Sequence, residues 1–294
     1  MTINQFLKKG TAPHHPPVKE TELIIAHILD KSREFVLSHP EYKLSDKQLF
    51  SVKQLWQKLS DGMPLAYVLR KKEFYGLDFF VDQRVLIPRP ETELMVELGY
   101  QILLHNDKKP WSILDIGTGS GCIAIALAHL TKQNSRLKKI KLLASDISPA
   151  ALTVARKNAK KHLLSSSIKF YQSDLLSSYL ENPYLLNTPD ILIMANLPYL
   201  SKEIYHTAPP SVTAFEPKQA LLSGEEGLDH YEKLLQQIKK FKNINPQLSF
   251  HLLLEISPEQ KKLLSEKKQL TGNNTDWIFH QDLAGKWRIA EISL

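Results

Sequence analysis

One cysteine, Cys122, stands in the whole chain. That scarcity excludes an internal disulfide and a zinc site built from several thiolates. No apolar run reaches the roughly 18 residues of a membrane-crossing helix. The leading Met-Thr-Ile-Asn-Gln-Phe-Leu-Lys-Lys lacks a signal peptide's long apolar stretch and small-residue cleavage site, so the expected location is the cytoplasm. Internal repeats and low-complexity tracts are also missing. His14 and His15 flank prolines in an expected flexible arm, with no partner ligand at metal spacing, so no metal is expected. No His-Asp arrangement accompanies Cys122, which is expected to pack behind a turn rather than attack a substrate.

What the chain does have is enough apolar material, 43% of 294 residues, for one large core and a smaller one. Charged residues at 23% argue against wholesale disorder. The net charge is +7, and lysines gather in pairs at 138–139, 160–161, 239–240, 261–262 and 267–268. Most fall in or beside expected helices, where a solvated face accounts for them. Weak attraction to an RNA-rich or acidic partner is the other reading, and charge alone does not separate the two.

Three regions follow from periodicity. Residues 1–70 read as a helical bundle: Leu23, Ile24, His27 and Ile28 recur at helical spacing, as do Leu49, Val52, Trp56 and Leu59. Ser45-Asp-Lys-Gln48 is a capping-box pattern, and Pro16-Pro17 and Pro40 punctuate the segment. Residues 71–92 read as a β-hairpin around Gly76 followed by a connector, in which Pro88 and Pro90 fix the backbone. Residues 93–294 form the third region. It opens on a helix carrying Leu94, Leu98 and Ile102 on one face.

From about residue 110 strands and helices alternate, the pattern of an α/β fold with a mostly parallel, doubly wound sheet. Strands are expected at 112–116, 141–145, 168–172, 190–195 and 250–255, with helices near 122–131, 149–163 and 226–241. A further strand at 287–292 alternates polar and apolar residues, as an antiparallel edge strand does.

Chemistry concentrates where these strands end. Gly117-Thr118-Gly119-Ser120-Gly121 follows a strand and opens a helix, so its backbone can approach a ligand closely and its amides can donate to it. Cys122 occupies the place of the last glycine in the dinucleotide fingerprint. Asp146 ends the second strand, where an acid can bind ribose hydroxyls; Ser148-Pro149 already supplies a helix cap, which disfavours a capping role for it. The long gap from the glycines is ascribed to a basic surface insertion at 132–139. Asp174 and Leu175 end the third strand and are expected to meet an adenine amino group and ring. After the fourth strand comes Asn196-Leu197-Pro198-Tyr199. The Asn196 amide oxygen and the Leu197 carbonyl could accept both hydrogens of a carboxamide, while Tyr199 packs on its plane. Such a tetrapeptide alone is a common turn; its place after a strand of a cofactor-binding sheet is what gives it weight. Glu255, ending another strand nearby, is as well explained by structure as by function.

These residues resemble the release factor glutamine methyltransferases of the HemK/PrmC type, over nearly the whole chain. The matching segments are Glu22–Leu29 with Lys31-Ser-Arg33, Pro64-Leu-Ala-Tyr67, Ile87-Pro-Arg-Pro-Glu-Thr-Glu93, Asp115–Cys122, Asn196–Tyr199, Glu216–Gly224, Leu254-Glu-Ile256 with Gln260, and Asp282-Leu-Ala-Gly285 with Arg288. The resemblance implies a seven-stranded class I S-adenosylmethionine-dependent methyltransferase domain behind an N-terminal helical, substrate-docking domain. It implies S-adenosylmethionine as donor, leaving S-adenosylhomocysteine, and the glutamine of a Gly-Gly-Gln motif in class I peptide chain release factors as acceptor. The cofactor loop then falls on Gly117–Gly121, the ribose acid on Asp146 and the adenine side on Asp174 and Leu175. The glutamine clamp falls on Asn196–Tyr199, with Asn196 also beside the donor and Arg89 and Pro90 on the substrate side. Two positions depart from the family pattern: Leu197 stands where proline is common, and Leu175 where an aromatic often stands. A monomer without stable nucleic-acid or membrane partners is expected. Glutamine methylation of a ribosomal protein, adenine methylation of nucleic acid, and a non-catalytic binding protein are the competing readings. The intact Asn196, Pro198 and Tyr199 speak against the last.

Overall fold

The computed structural model describes residues 1–9, 17–106, 109–137, 140–267 and 276–294. His14, His15, Pro16, Lys138, Lys139 and Lys268, singled out above, lie outside the described residues. Two compact units emerge, one of residues 1–71 with 209–215 and the other of residues 72–208 with 216–294.

The first unit is helical. It contains α1 (Ile3–Lys9), α2 (Val18–Leu29), α3 (Arg33–Ser38), α4 (Asp46–Ser60) and α5 (Leu65–Leu69). Its core includes Ile3, Ile24, Ile25, Val36, Val52 and Val68. The buried stripe of α2 is Thr21, Ile24 and Ile25, with Ile28 half-buried and His27 exposed, so the face is rotated from the expected Leu23–His27 edge. The cause is helical geometry: positions 21, 24, 25 and 28 share one face, and placing the long apolar pair Ile24-Ile25 inward turns His27 to water. The capping box forms as read, with the Ser45 hydroxyl accepting from Gln48 N and the Gln48 side chain accepting from Ser45 N. Ser45→Ala removes one of these reciprocal bonds and should cost about 1 kcal/mol in urea denaturation.

The second unit opens with a hairpin, β1 (Lys72–Phe74) and β2 (Leu77–Phe79). Tyr75 and Gly76 both take positive φ, +52° and +72°, the primed turn that suits a tight hairpin. The chain leaving it is anchored by the buried Asn158 side chain, which pairs with Phe80 N and O at 2.7 and 2.9 Å and donates to Ser120 O at 2.9 Å. Then α6 (Glu93–His105) packs against the sheet. Its fully buried residues are Met95, Val96, Gly99 and Leu103, while the expected stripe of Leu94, Leu98 and Ile102 is only half-buried. Gly99 faces Met194 so closely that a Cβ would come within 2.9 Å of its methyl carbon, and this contact rotates the helix.

The remaining elements are β3 (Trp111–Ile116), α7 (Cys122–Gln133), β4 (Ile140–Asp146), α8 (Pro149–Lys161), β5 (Ile168–Gln172), α9 (Ser177–Glu181), β6 (Asp190–Ala195), α10 (Lys202–Thr207), α11 (Pro210–Thr213, part of the first unit), α12 (Asp229–Ile244), β7 (Ser249–Glu255), α13 (Gln260–Glu266), β8 (Ile278–Gln281) and β9 (Trp287–Ser293). The sheet order is β5-β4-β3-β6-β7-β9-β8, parallel from β5 to β7, with β9 and β8 antiparallel. The residue pattern missed β8, whose four residues carry neither a buried alternation nor a long apolar run. It also missed the short α9, α10, α11 and α13.

This topology decides where the site is. The chain steps from β3 outward to β4 and β5, then returns to place β6 on β3's other side. That reversal is the topological switch point, and loops leaving β3 and β6 diverge around a crevice there. Register makes the point sharper: Ile116 pairs with Ala195, so Gly117 and Asn196 are the next residues on neighbouring strands.

Candidate active site

The loop after β3 is built by donors and acceptors of its own neighbours. Gly117 N and Thr118 N both donate to Ser145 O, at 2.8 and 2.9 Å. Beneath, the Asp115 carboxyl accepts from Thr118 Oγ1 at 2.7 Å and from Ala124 N at 3.0 Å, tying the loop to the first turn of α7. Burial pushes Asp115 up to about 7, against the pull of those two bonds. Gly119 has φ +54°, and a Cβ there would find nothing nearer than the Gly117 carbonyl at 3.9 Å, so its backbone faces open space.

Asp146 closes the loop from the next strand. One oxygen accepts from Gly119 N and the other from Ser148 N, both at 2.9 Å, while burial raises its pKa. An ionised carboxylate offers about four lone-pair directions, so each oxygen keeps one for a hydroxyl donor. Ser148 Oγ separately caps α8 by accepting from Ala151 N.

After β5, Leu175 is buried with φ +53°, a left-handed backbone that a branched side chain adopts only under constraint. The constraint comes from Ser173 Oγ, which donates to Leu175 O at 2.8 Å, and from Gln237 of α12, which accepts from Leu176 N at 2.7 Å. Asp174 Oδ2 is engaged by Lys233 Nζ in a half-exposed ion pair.

The four residues after β6 are held at every position but the third. Asn196 Nδ2 donates to Thr92 Oγ1 at 3.1 Å. Leu197 is buried in the same core as Tyr231, whose hydroxyl donates to Glu255 O. The Tyr199 hydroxyl donates to Glu255 Oε1 at 3.3 Å, and its carbonyl accepts from Gln260 Nε2 at 3.2 Å. Burial beside Glu255 raises the Tyr199 phenol well above its ordinary value, so it stays neutral. Glu255 is itself buried; burial pushes it up to about 7, opposed by the nearby Thr92 and Tyr199 hydroxyls.

A single cavity of about 170 Å³ runs between these loops. A water needs roughly 10–15 Å³ on the same measure, so the space suits an organic ligand. Of the residues the sequence pointed to, Gly117 through Ser120, Asp146, Asp174, Leu175, Asn196, Leu197, Pro198 and Arg89 line it; Gly121, Tyr199 and Pro90 do not. Leu197 closes the gap between the two loops, its Cδ2 lying 2.9 Å from where a Gly117 Cβ would be. Arg89 reaches the cavity while its guanidinium pairs with buried Glu216 at 2.6 Å, and Glu216 also accepts from Ile87 N at 3.1 Å. Cys122 joins the lining, but burial pushes its thiol up to about 12, so it remains protonated.

Several partners escaped the residue-by-residue reading. Thr92, Glu216 and Gln260 lie inside blocks quoted for the resemblance, so a signal existed without a role attached. Gln237 and His230, both on α12, carried no signal. His230 lines the cavity with Nδ1 2.7 Å from Ser223 Oγ, and burial holds its pKa below the ordinary value.

Both regions of the chain are similar to known proteins. Residues 4–69 match the PrmC N-terminal domain and residues 107–245 match a methyltransferase domain. A release factor glutamine methyltransferase from Dictyoglomus turgidum is 37% identical over 81% of this chain and 78% of its own length. One from Rhodopirellula baltica is 33% identical over 99% of this chain and 93% of its own. Among solved structures, the hMettl16 catalytic domain in complex with MAT2A 3'UTR hairpin 6 shares the fold, with a TM-score of 0.53 and 16% identity over 85% of this chain and 81% of that one.

Proposed function

This chain belongs to the release factor glutamine methyltransferase family, and from that premise we propose that it methylates the side-chain amide nitrogen of the glutamine in the Gly-Gly-Gln motif of class I peptide chain release factors, with S-adenosylmethionine as donor. The observation that carries the reading is the β3–β6 register, with Ile116 opposite Ala195, which sets the glycine loop and the Asn196 loop side by side on one cavity.

The residues present fit the donor. Gly119 presents bare backbone to the open side of the loop, and Asp146 keeps a lone pair on each oxygen for ribose hydroxyls. Leu175 forms the wall for the base, and Asp174 has Oδ1 left for an exocyclic amine once Oδ2 is engaged by Lys233. When bound, S-adenosylmethionine supplies a methyl carbon made electrophilic by its sulfonium.

The protein's contribution is alignment. A carboxamide nitrogen is a weak nucleophile because its lone pair is shared with the carbonyl. Accepting both N–H hydrogens, at Asn196 Oδ1 and the Leu197 carbonyl, would aim the remaining lobe at the methyl carbon and favour the charge that develops on nitrogen. The Leu197 peptide is steadied for this by its side chain, buried in the core against Gly117. This compensates in part for the leucine that stands where the family commonly has proline. The helical first unit is proposed to dock the release factor.

The test is mass spectrometry of purified release factor incubated with the enzyme and donor, with bulk RNA and DNA as competing acceptors. One added methyl on the Gly-Gly-Gln peptide is expected. Methyl found only on nucleic acid, or nowhere, would reject the proposal.

A further inference from the structure

We propose that His230 reads the base of the methyl donor: its Nε2–H donates to a ring nitrogen beside the exocyclic amine, and with Asp174 it makes a donor–acceptor pair for that edge of the adenine. The inference rests on the reading of the cavity as an S-adenosylmethionine site with Asp174 and Leu175 on the base. It adds to that site a residue of α12, which neither the glycine loop nor the strand ends supply.

The placement comes from one face of α12. Positions 230, 233 and 237, three and four residues apart, fall on the same side of a helix. Gln237 accepts from Leu176 N at 2.7 Å and donates to Ser177 Oγ at 3.1 Å, while Lys233 Nζ engages Asp174 Oδ2. The face is thus bonded along the segment that carries the wall for the base. His230 stands in its first turn, half-buried, and lines the same cavity as Ser173, Asp174 and Leu175.

Hydrogen-bond counting then places the proton on the ring. Ser223 is 1% exposed, so its hydroxyl proton needs an acceptor within the protein. Its Oγ accepts from His230 N at 3.3 Å and lies 2.7 Å from His230 Nδ1. Among the described residues nothing else hydrogen-bonds that oxygen. The hydroxyl therefore donates to Nδ1. A proton on Nδ1 instead would set two N–H donors against one oxygen and leave the hydroxyl proton buried without a partner. The ring is accordingly the Nε2–H tautomer. Burial, which holds the imidazole below its ordinary pKa, keeps it neutral. Nε2–H itself has no partner among the described residues, so it is left for a ligand in the cavity.

Adenine has the matching pattern. Its exocyclic amine donates, and the ring nitrogens on either side, N1 and N7, only accept. Asp174 Oδ1 takes the amine, and the neighbouring nitrogen then needs a donor. A carboxylate cannot give one; the His230 imidazole can.

The experiment is calorimetric titration of the full chain with S-adenosylhomocysteine and with its 1-deaza and 7-deaza analogues, each of which replaces one ring nitrogen by C–H. Wild type should bind the analogue lacking the partner nitrogen about tenfold more weakly, the effect of one lost hydrogen bond. His230→Phe keeps a ring and loses the N–H. It should bind S-adenosylhomocysteine about tenfold more weakly, yet bind that analogue no more weakly than wild type does. Equal affinity of wild type and His230→Phe for S-adenosylhomocysteine overturns the proposal. A loss of the same size for S-adenosylhomocysteine and both analogues also overturns it, since that marks a general disturbance of the cavity. Should His230→Phe not fold, His230→Ala takes its place in the same comparison. Wild-type protein that binds no S-adenosylhomocysteine sinks the functional reading instead, so the two failures are distinct.

Discussion

Asn196→Ala should lower the rate constant for methyl transfer by about 100- to 1000-fold, the usual effect of deleting one preorganised hydrogen-bonding group at the reacting centre. Donor binding should persist, because the loop built on Asp115, Ser145 and Asp146 owes none of its hydrogen bonds to Asn196. The variant keeps the Leu197 carbonyl, so one N–H of the substrate is still held while the nitrogen swings about that single contact. The measurement is a pair: calorimetric titration with S-adenosylhomocysteine, and single-turnover methylation of release factor. Retained turnover would remove Asn196 from the mechanism. Lost turnover with lost donor binding would mean that the substitution had collapsed the cavity.

Gly227→Ala carries the second large effect, and it acts from outside the cavity. Gly227 has φ +76°, and a Cβ there would stand 2.2 Å from the Tyr199 carbonyl oxygen and 2.9 Å from Gln260 Nε2. The left-handed backbone alone costs a non-glycine residue about 1–2 kcal/mol. The clash adds to this, because the obstructing atom is main chain and cannot rotate away. Relief requires the turn at 227 and the Asn196–Tyr199 segment to separate, which would break the bridge in which Gln260 Nε2 donates to both Tyr199 O and Gly227 O, at 3.2 and 2.8 Å. Destabilisation of roughly 3 kcal/mol or more is expected, with methyl transfer lost even where the chain still folds. Urea denaturation and the methylation assay check the two halves separately. An alanine variant with native stability and rate would show that the segment can yield without cost.

Much of the fold was legible before any coordinates. A buried parallel strand announces itself as a short apolar run, and the run at 190–195 matches its strand residue for residue; the expected strand at 168–172 matches too, although it is a partly exposed edge. The capping box at Ser45 was equally plain, because it depends on residues three apart. What failed was instructive in each case. The β8 strand, Ile278–Gln281, is an exposed edge whose residues need not alternate, so pairing with β9 rather than composition makes it a strand. The buried faces of α2 and α6 were displaced because an amphipathic pattern defines an arc, and packing partners such as Met194 choose its centre.

The candidate site divides along the same line. The types of group required, namely glycines, strand-end acids and an Asn-x-Pro-Tyr turn, stand in the chain as local patterns. Their partners do not. Thr92 meets Asn196 from 104 positions away, and Glu216 meets Arg89 from 127. No periodicity links such residues.

The amino-acid order by itself determined the longer strands and helices, and which side chains stand at strand ends, because those depend on neighbours within a few residues. Only the tertiary structure decided that the loops after β3 and β6 share one cavity, that Tyr199 turns its hydroxyl to Glu255, and which end of the Asn196 amide is free. The reason is physical: strand register and the direction of a buried hydrogen bond are settled by groups distant in the chain, once burial has removed the water that would otherwise satisfy them.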